Sequence, residues 1–356
     1  KRYRGIQLPE VQCGDLKADK KKKRMISLFT ELLKNNIEEA LEKGEQIILF
    51  QNRRGFAPML ECFTCGHVQQ CKRCDVSLTY HKHSNLLRCH YCGYVEKVGL
   101  TCTACGSVDT DMRGFGTEKI EEEVKKVFPK AKVSRMDLDT TRGKNAYQNL
   151  ISKFEDKDID ILVGTQMVSK GLDFNNVSLV GVLNADQMLY YPDFRAFERA
   201  YQLMAQVSGR AGRKFKRGKV IIQSHNPHHN TIRDVMDNDY LNMYNSEILN
   251  RRNFLYPPFY RLIYLTFRHK DRNVLDACCD TFALNLKSEI GDERVLGPEY
   301  PGISRINNLY NKKIMIKVEK STSIVQVKAK INHLITVFKK DAAFKYVRVI
   351  IDVDPQ

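Results

Sequence analysis

Four Cys-x-x-Cys pairs, Cys62/Cys65, Cys71/Cys74, Cys89/Cys92 and Cys102/Cys105, fall in one short stretch and take eight of the eleven cysteines. Each pair sets two thiolates on a tight turn, both reaching one tetrahedral ion, and Zn²⁺ favours such sulfur sets. Four knuckles supply two closed Cys₄ sites with no open coordination position, so both are expected to be structural. The spacing is C-x₂-C-x₅-C-x₂-C-x₁₄-C-x₂-C-x₉-C-x₂-C. The gap of fourteen residues is of zinc-ribbon length, which predicts one ion on Cys71, Cys74, Cys89 and Cys92. That folds the segment back and leaves Cys62, Cys65, Cys102 and Cys105 for the other. Sequential and crossed pairing are the alternatives. Gly66, Gly93 and Gly106 follow knuckles and supply left-handed turns where thiolates converge. Given a full cysteine set, His67, His81, His83 and His90 read as surface or supporting groups. Cys278 and Cys279 read as helix packing residues, and Cys13 carries no argument.

The chain has 356 residues, 42% hydrophobic and 28% charged, enough for two or three globular domains. Its net charge of +16 and pI of about 9.3 favour a polyanionic partner, nucleic acid above all. No run of about 18 apolar residues predicts a membrane span. The opening KRYRGIQLPE lacks the apolar centre of a signal peptide. Paired cysteines then read as thiolate ligands in a reducing, cytoplasmic compartment.

Residues 1–24 are polar, with the basic run KADKKKKR, and read as a solvated linker. Apolar spacing predicts a helix over 25–43, closed by Gly44. A continuous apolar strand, Ile47–Phe50, reads as a buried parallel strand. Beyond the cysteines the pattern alternates: helix 117–128, strand 132–136, helix 144–154, strand IDILVG to Gly164, strand 178–185, helix 194–207, strand KVIIQS to Ser224. Such alternation implies right-handed crossovers and a covered parallel sheet. Function in these sheets collects at the strands' carboxyl ends, where GTQMVSKGLDF (164–174) and QVSGRAGR (206–213) are both expected. After residue 228 a helical connector leads to YPPF. The order β-α-(β)-β-α-β then predicts a compact split βαβ domain.

QVSGRAGR sets Arg210 and Arg213 one turn apart, with glycines that admit a ligand to the backbone. Guanidinium is permanently charged and forks onto phosphate oxygens, so the pair suits a developing γ-phosphate charge. In GTQMVSKGLDF, Thr165 follows a buried strand, placed to grip a phosphodiester. Lys170 and Gly171 allow close approach, and Asp173 suits a ribose hydroxyl.

These segments resemble the PriA family of bacterial primosomal, replication-restart DNA helicases of superfamily 2, over nearly the whole chain. NRRGFAP (52–58) resembles the family's motif IV, which runs into its cysteine block. MDLDTTRGK (136–144) resembles its Asp-x-Asp-Thr-Thr segment, GTQMVSKGLDF motif V and QVSGRAGR motif VI. NADQMLYYPDFRAFERAYQL (184–203), RRNFLYPPF, VLGP and the terminal IDVDP match further landmarks. The resemblance implies a RecA-like second helicase lobe (1–58 and 109–228), an inserted two-zinc module (59–108) and an α+β, S10-like C-terminal domain (229–356). It implies the nested zinc pairing too. Arg210, Arg213 and Gln206 would face the γ-phosphate of ATP, with Asp173, Gly171 and Gly209 on the nucleotide side. Thr165, Gln166, Lys170, Arg53 and Arg54 would face DNA. Implied partners are branched or single-stranded DNA, single-stranded DNA-binding protein, primosome proteins and the first helicase lobe.

One departure is large. No GxxxxGK[ST] phosphate loop and no DEAH-like Mg²⁺-binding box occurs. Those belong to the first lobe, so the chain is expected to be a fragment that does not hydrolyse ATP alone. NNLYNKKIMIK (307–317) is also less basic and aromatic than the family pattern. The rival reading is a non-catalytic zinc-ribbon scaffold on a degenerate lobe, gripping DNA or protein; a Walker-A segment upstream separates the two.

Overall fold

Strand Gln46–Phe50 is buried at every position, because it runs through the middle of a sheet covered on both faces. The computed structural model describes residues 8–52, 59–62, 64–74, 76–81, 84–108, 110–112, 117–137, 140–141, 143, 145–169, 174–212 and 217–355. The sheet has six parallel strands in the order Glu10–Asp15, Lys219–Ser224, Val177–Val182, Gln46–Phe50, Ile161–Gly164, Val133–Met136. Alternate residues serve opposite faces. Ile47 and Leu49 meet Leu33, Ile37, Ile120 and Val124 of helices Glu31–Glu42 and Thr117–Val127. Ile48 and Phe50 meet Phe154, Met204 and Val207 of helices Ala146–Glu155 and Ala196–Ser208.

Three details depart from the expectations. Residues 10–15 are no linker: they pair parallel with Lys219–Ser224 and form the sheet's edge. The strand is mostly half-buried, as an edge strand is, so its side chains are too polar to announce it. Asp15 then caps the short helix Leu16–Lys21 by accepting from Ala18 N. The next helix starts at Glu31 instead of residue 25, because Thr30 caps it and Thr30 N donates to Gln223 Oε1 at 2.7 Å. The third departure concerns helix Ala196–Ser208. It crosses back over the sheet, and Gly212 N donates to Val177 O at 3.0 Å. Its end, with Arg210, therefore stands at the amino edge of the sheet, opposite to the edge expected.

The cysteine segment leaves and re-enters through a short antiparallel pair, Leu60–Cys62 with Thr110–Met112. Inside it Thr79–His81, Leu86–Arg88 and Val95–Lys97 form a three-stranded antiparallel sheet. Helices Asn230–Asp237 and Tyr240–Asn253, separated at Asn238 (φ +54°), connect to the last unit. There the antiparallel order is Val295–Glu299, Leu309–Glu319, Tyr260–His269, Arg348–Val353. This is the expected split βαβ arrangement. Helices Arg272–Ile290 and Ile324–Lys340 cover one face through Leu275, Phe282 and Ile331. The other face meets the zinc ribbon through Leu262 and Met315.

Candidate metal centres and nucleic-acid interface

All four knuckles close with the same hydrogen bond, from the first cysteine's N–H to the carbonyl five residues on. These are Cys62 to His67 (3.0 Å), Cys71 to Val76 (2.8 Å), Cys89 to Tyr94 (2.8 Å) and Cys102 to Ser107 (2.7 Å). Gly66, Gly93 and Gly106 take φ of +71°, +76° and +73°, the left-handed turn that a side chain resists. The thiols gather in the nested pairing. Cys62, Cys65, Cys102 and Cys105 form one cluster and Cys71, Cys74, Cys89 and Cys92 the other, with the sulfurs of each within 4.8 Å of one another. Cys62–Cys105, Cys65–Cys102 and Cys71–Cys92 sulfurs are 3.6 Å apart. Tetrahedral Zn–S bonds of about 2.3 Å set sulfurs about 3.8 Å apart, so the clusters fit Zn²⁺. Their protonation agrees. Hydrogen bonds from Cys74 and Cys89 draw the Cys71 thiol down to about 7, while the Cys71 contact pushes Cys74 far up. Four crowded thiols cannot all ionise without a cation among them.

The two centres attach to different bodies. Beside the outer one, buried Glu61 and Asp186 both face the ring of buried His225, at 2.9 Å and 3.3 Å from Nδ1. Asp186 also accepts from Ser224 Oγ and His225 N. Burial alone would lower the His225 pKa, but Asp186 and then Glu61 carry it to about 9. The inner centre rests on the C-terminal unit. Tyr256 donates its hydroxyl to Cys74 O at 2.8 Å and stacks on Phe194 at 4.3 Å. Lys317 Nζ lies 3.8 Å from the Tyr256 ring and donates to Phe254 O. Arg88 pairs with buried Glu299 at 2.8 Å. His90 donates Nδ1–H to Tyr300 O. None of His225, Asp186, Glu61, Tyr256 or Glu299 was legible as a joint beforehand. Each partner lies far along the chain, and only the fold pairs them.

Thr165 stands at the carboxyl edge, after strand Ile161–Gly164, and is half-buried. Gln166 reaches Asn52 Oδ1 at 3.3 Å, which joins motif V to the end of the central strand. Gly164 is required there: a Cβ would meet Val168 Cγ1 at 2.2 Å. On the same edge Asp137 orders its turn by accepting from Thr140 N and Thr117 Oγ1. At the amino edge Gln206 is exposed on the last helical turn, Gly209 caps the helix, and Arg210 follows, half-buried. The structure thus brings Gln206, Gly209 and Arg210 together, and separates them from Thr165 and Gln166. Arg53, Arg54, Lys170, Gly171, Asp173, Arg213 and His83 lie outside the described residues. Among the described residues no helix is long and apolar enough to cross a membrane.

A parallel-sheet lobe with its motifs divided between two edges, interrupted by a double zinc ribbon, defines the C-terminal lobe of a helicase. Residues 110–215 match the helicase conserved C-terminal domain, and residues 71–97 the PriA DNA helicase Cys-rich region domain. Residues 252–356 match the primosomal protein N C-terminal domain. Replication restart protein PriA of Bacillus subtilis is 42% identical over 98% of this chain and 43% of its own length. Those of Chlamydia pneumoniae and Borreliella burgdorferi are 37% and 36% identical, over 97% and 89% of this chain. The chain belongs to the PriA family. It spans about half the length of the curated relatives it matches, 43% to 48% in these three.

Proposed function

We propose that the chain supplies the second motor lobe, zinc module and C-terminal domain of an ATP-dependent 3′-to-5′ DNA helicase. The complete protein would recognise stalled or branched replication forks and restart replication by primosome assembly. The division proposed is 1–58 with 109–228 for the lobe, 59–108 for the ribbon and 229–356 for the remainder. The observation that carries the reading is the division of motifs between edges. A motor must sense nucleotide at one place and hold a strand at another, with a rigid sheet between them.

At the amino edge Arg210 and Gln206 present guanidinium and amide donors to the γ-phosphate of ATP, and Arg213 is proposed to act with them. That triphosphate and its Mg²⁺ are held by the first lobe, and hydrolysis supplies the driving free energy. Gly209 belongs to this nucleotide side, and Asp173 and Gly171 are proposed to contact the nucleotide as well. At the carboxyl edge Thr165 and Gln166 hold the phosphodiester backbone, and Lys170, Arg53 and Arg54 are proposed to contact the DNA as well. A shift of the amino edge on γ-phosphate loss moves the carboxyl edge as one body, because buried strands connect them. The two zinc ions are structural. Single-stranded DNA-binding protein and primosome proteins are the proposed partners.

The test is Arg213→Ala in the complete protein. ATP binding should persist while DNA-stimulated hydrolysis falls roughly 10³-fold or more, the scale of arginine-finger losses. Near-normal turnover refutes the role.

A further inference from the structure

We propose that the seam between the zinc ribbon and the C-terminal sheet is a pocket for one unpaired nucleotide of a single DNA strand. The ligand class rests on the DNA-handling reading above; the place rests on the seam itself.

A cavity of about 440 Å³ opens there, within the range of about 300–1,000 Å³ typical of ligand pockets. One wall is the C-terminal sheet. Arg268 sits opposite both Arg348 and Asn311, and Lys313 sits opposite the next residue on that face, Thr266. Directly opposed residues project from the same face, so Arg348, Arg268 and Lys313 crowd three cations together, a repulsive arrangement. No salt bridge joins any of the three to a carboxylate among the described residues: Asp352, on the same face, only attracts Lys313, Glu299 opposite Lys313 is taken by Arg88, and Arg268 Nε is buried without a partner. The covered face of the same sheet is treated differently. There Lys312 pairs with Asp276 and Asp280, at 2.7 Å and 2.9 Å. A face where three cations outnumber the one carboxylate not already engaged, Asp352, marks a place for an anion.

The facing wall has aromatic surface from Tyr91 and Tyr191, and its one acid, Asp193, is engaged by Arg199 at 3.1 Å. Two lining acceptors lack donors. Asn311 Oδ1 is buried and unpartnered. His90 spends its Nδ1–H on Tyr300 O, so its unpartnered Nε2 is a lone pair. An acidic peptide would satisfy the cations, and its backbone N–H groups the acceptors, but it brings no flat ring to Tyr191. A nucleotide offers all three: a phosphate for Arg268 and Lys313, a flat ring for Tyr191, and base N–H groups for the acceptors.

The zinc-loaded chain is titrated by anisotropy with fluorescein-labelled dC12 across a salt series, with no ATP present, so the outcome is independent of motor activity. Arg268→Gln and Lys313→Gln should each weaken binding about three- to tenfold and lower the salt slope by about one. Arg268→Lys should keep the slope, and zinc content of two per chain should be retained by every variant. Tyr191→Ala should weaken dC12 binding about fivefold or more at unchanged slope, yet leave an abasic strand of equal length unaffected. Wild-type affinity in the three weakening variants overturns the pocket. So does equal loss of the abasic strand in Tyr191→Ala, or a decaglutamate peptide displacing dC12 more readily than unlabelled dC12 does.

Discussion

Raising the pH should loosen the ribbon from the lobe, and His225 sets the window. Its folded pKa is about 9 against an ordinary 6.5, because Asp186 and Glu61 outweigh the opposing effect of burial. A raised folded pKa means the contribution is fully present below 6.5 and is lost as pH climbs through 9. At about 1.4 kcal/mol per pH unit, the interval corresponds to about 3 kcal/mol. Zinc-bound thiolates do not titrate in this window, but Lys317, drawn down to about 8 by burial, does and works in the opposite sense, so the imidazolium is read from the difference between the native chain and a His225 variant. The assay is urea unfolding of the zinc-loaded chain at pH 6 and pH 9.5, followed by circular dichroism. The native chain should lose about 3 kcal/mol more across that interval than His225→Gln does. His225→Gln should be less stable at pH 6 by about 3–5 kcal/mol, since two buried carboxylates lose their cation. An equal pH response in the native chain and the Gln variant refutes the reasoning.

Metal analysis should give two zinc ions per chain, with Cys71→Ser and Cys89→Ser losing the same ion and Cys62→Ser the other. Loss of different ions from Cys71→Ser and Cys89→Ser would reject the nesting seen in the sulfur clusters. Arg88→Met should cost about 2 kcal/mol in the same unfolding assay, below the 3–5 of a fully buried pair because the Arg88 side chain is 41% exposed. Glu299→Gln should cost less, since it removes the buried charge with the partner; a costlier Gln variant would contradict that account.

The zinc ribbon was legible because metal chemistry prescribes both residue type and interval. Cys71 and Cys89 could be paired from a loop length alone. The central strands were legible because Ile47–Phe50 and Ile161–Gly164 are apolar at every position, which only a doubly covered strand requires. Strand Glu10–Asp15 escaped because an edge strand needs neither. The direction of helix Ala196–Ser208 was implicit in the crossover rule, yet Arg210 was expected on the wrong edge: proximity to a glycine-rich motif was weighed above which way the helix runs. The joints at His225, Tyr256 and Glu299 depend on contacts across 164, 182 and 211 residues. No local pattern encodes those.

The paired strands Leu60–Cys62 and Thr110–Met112 put the entrance and exit of the ribbon side by side. The insertion is therefore a plug-in: the surrounding sheet closes its own hydrogen bonds whether or not the plug has taken up metal. A cell starved of zinc would keep the motor body and forfeit the dock for the final hundred residues. Metal supply thereby becomes a condition on assembly rather than on the existence of the lobe.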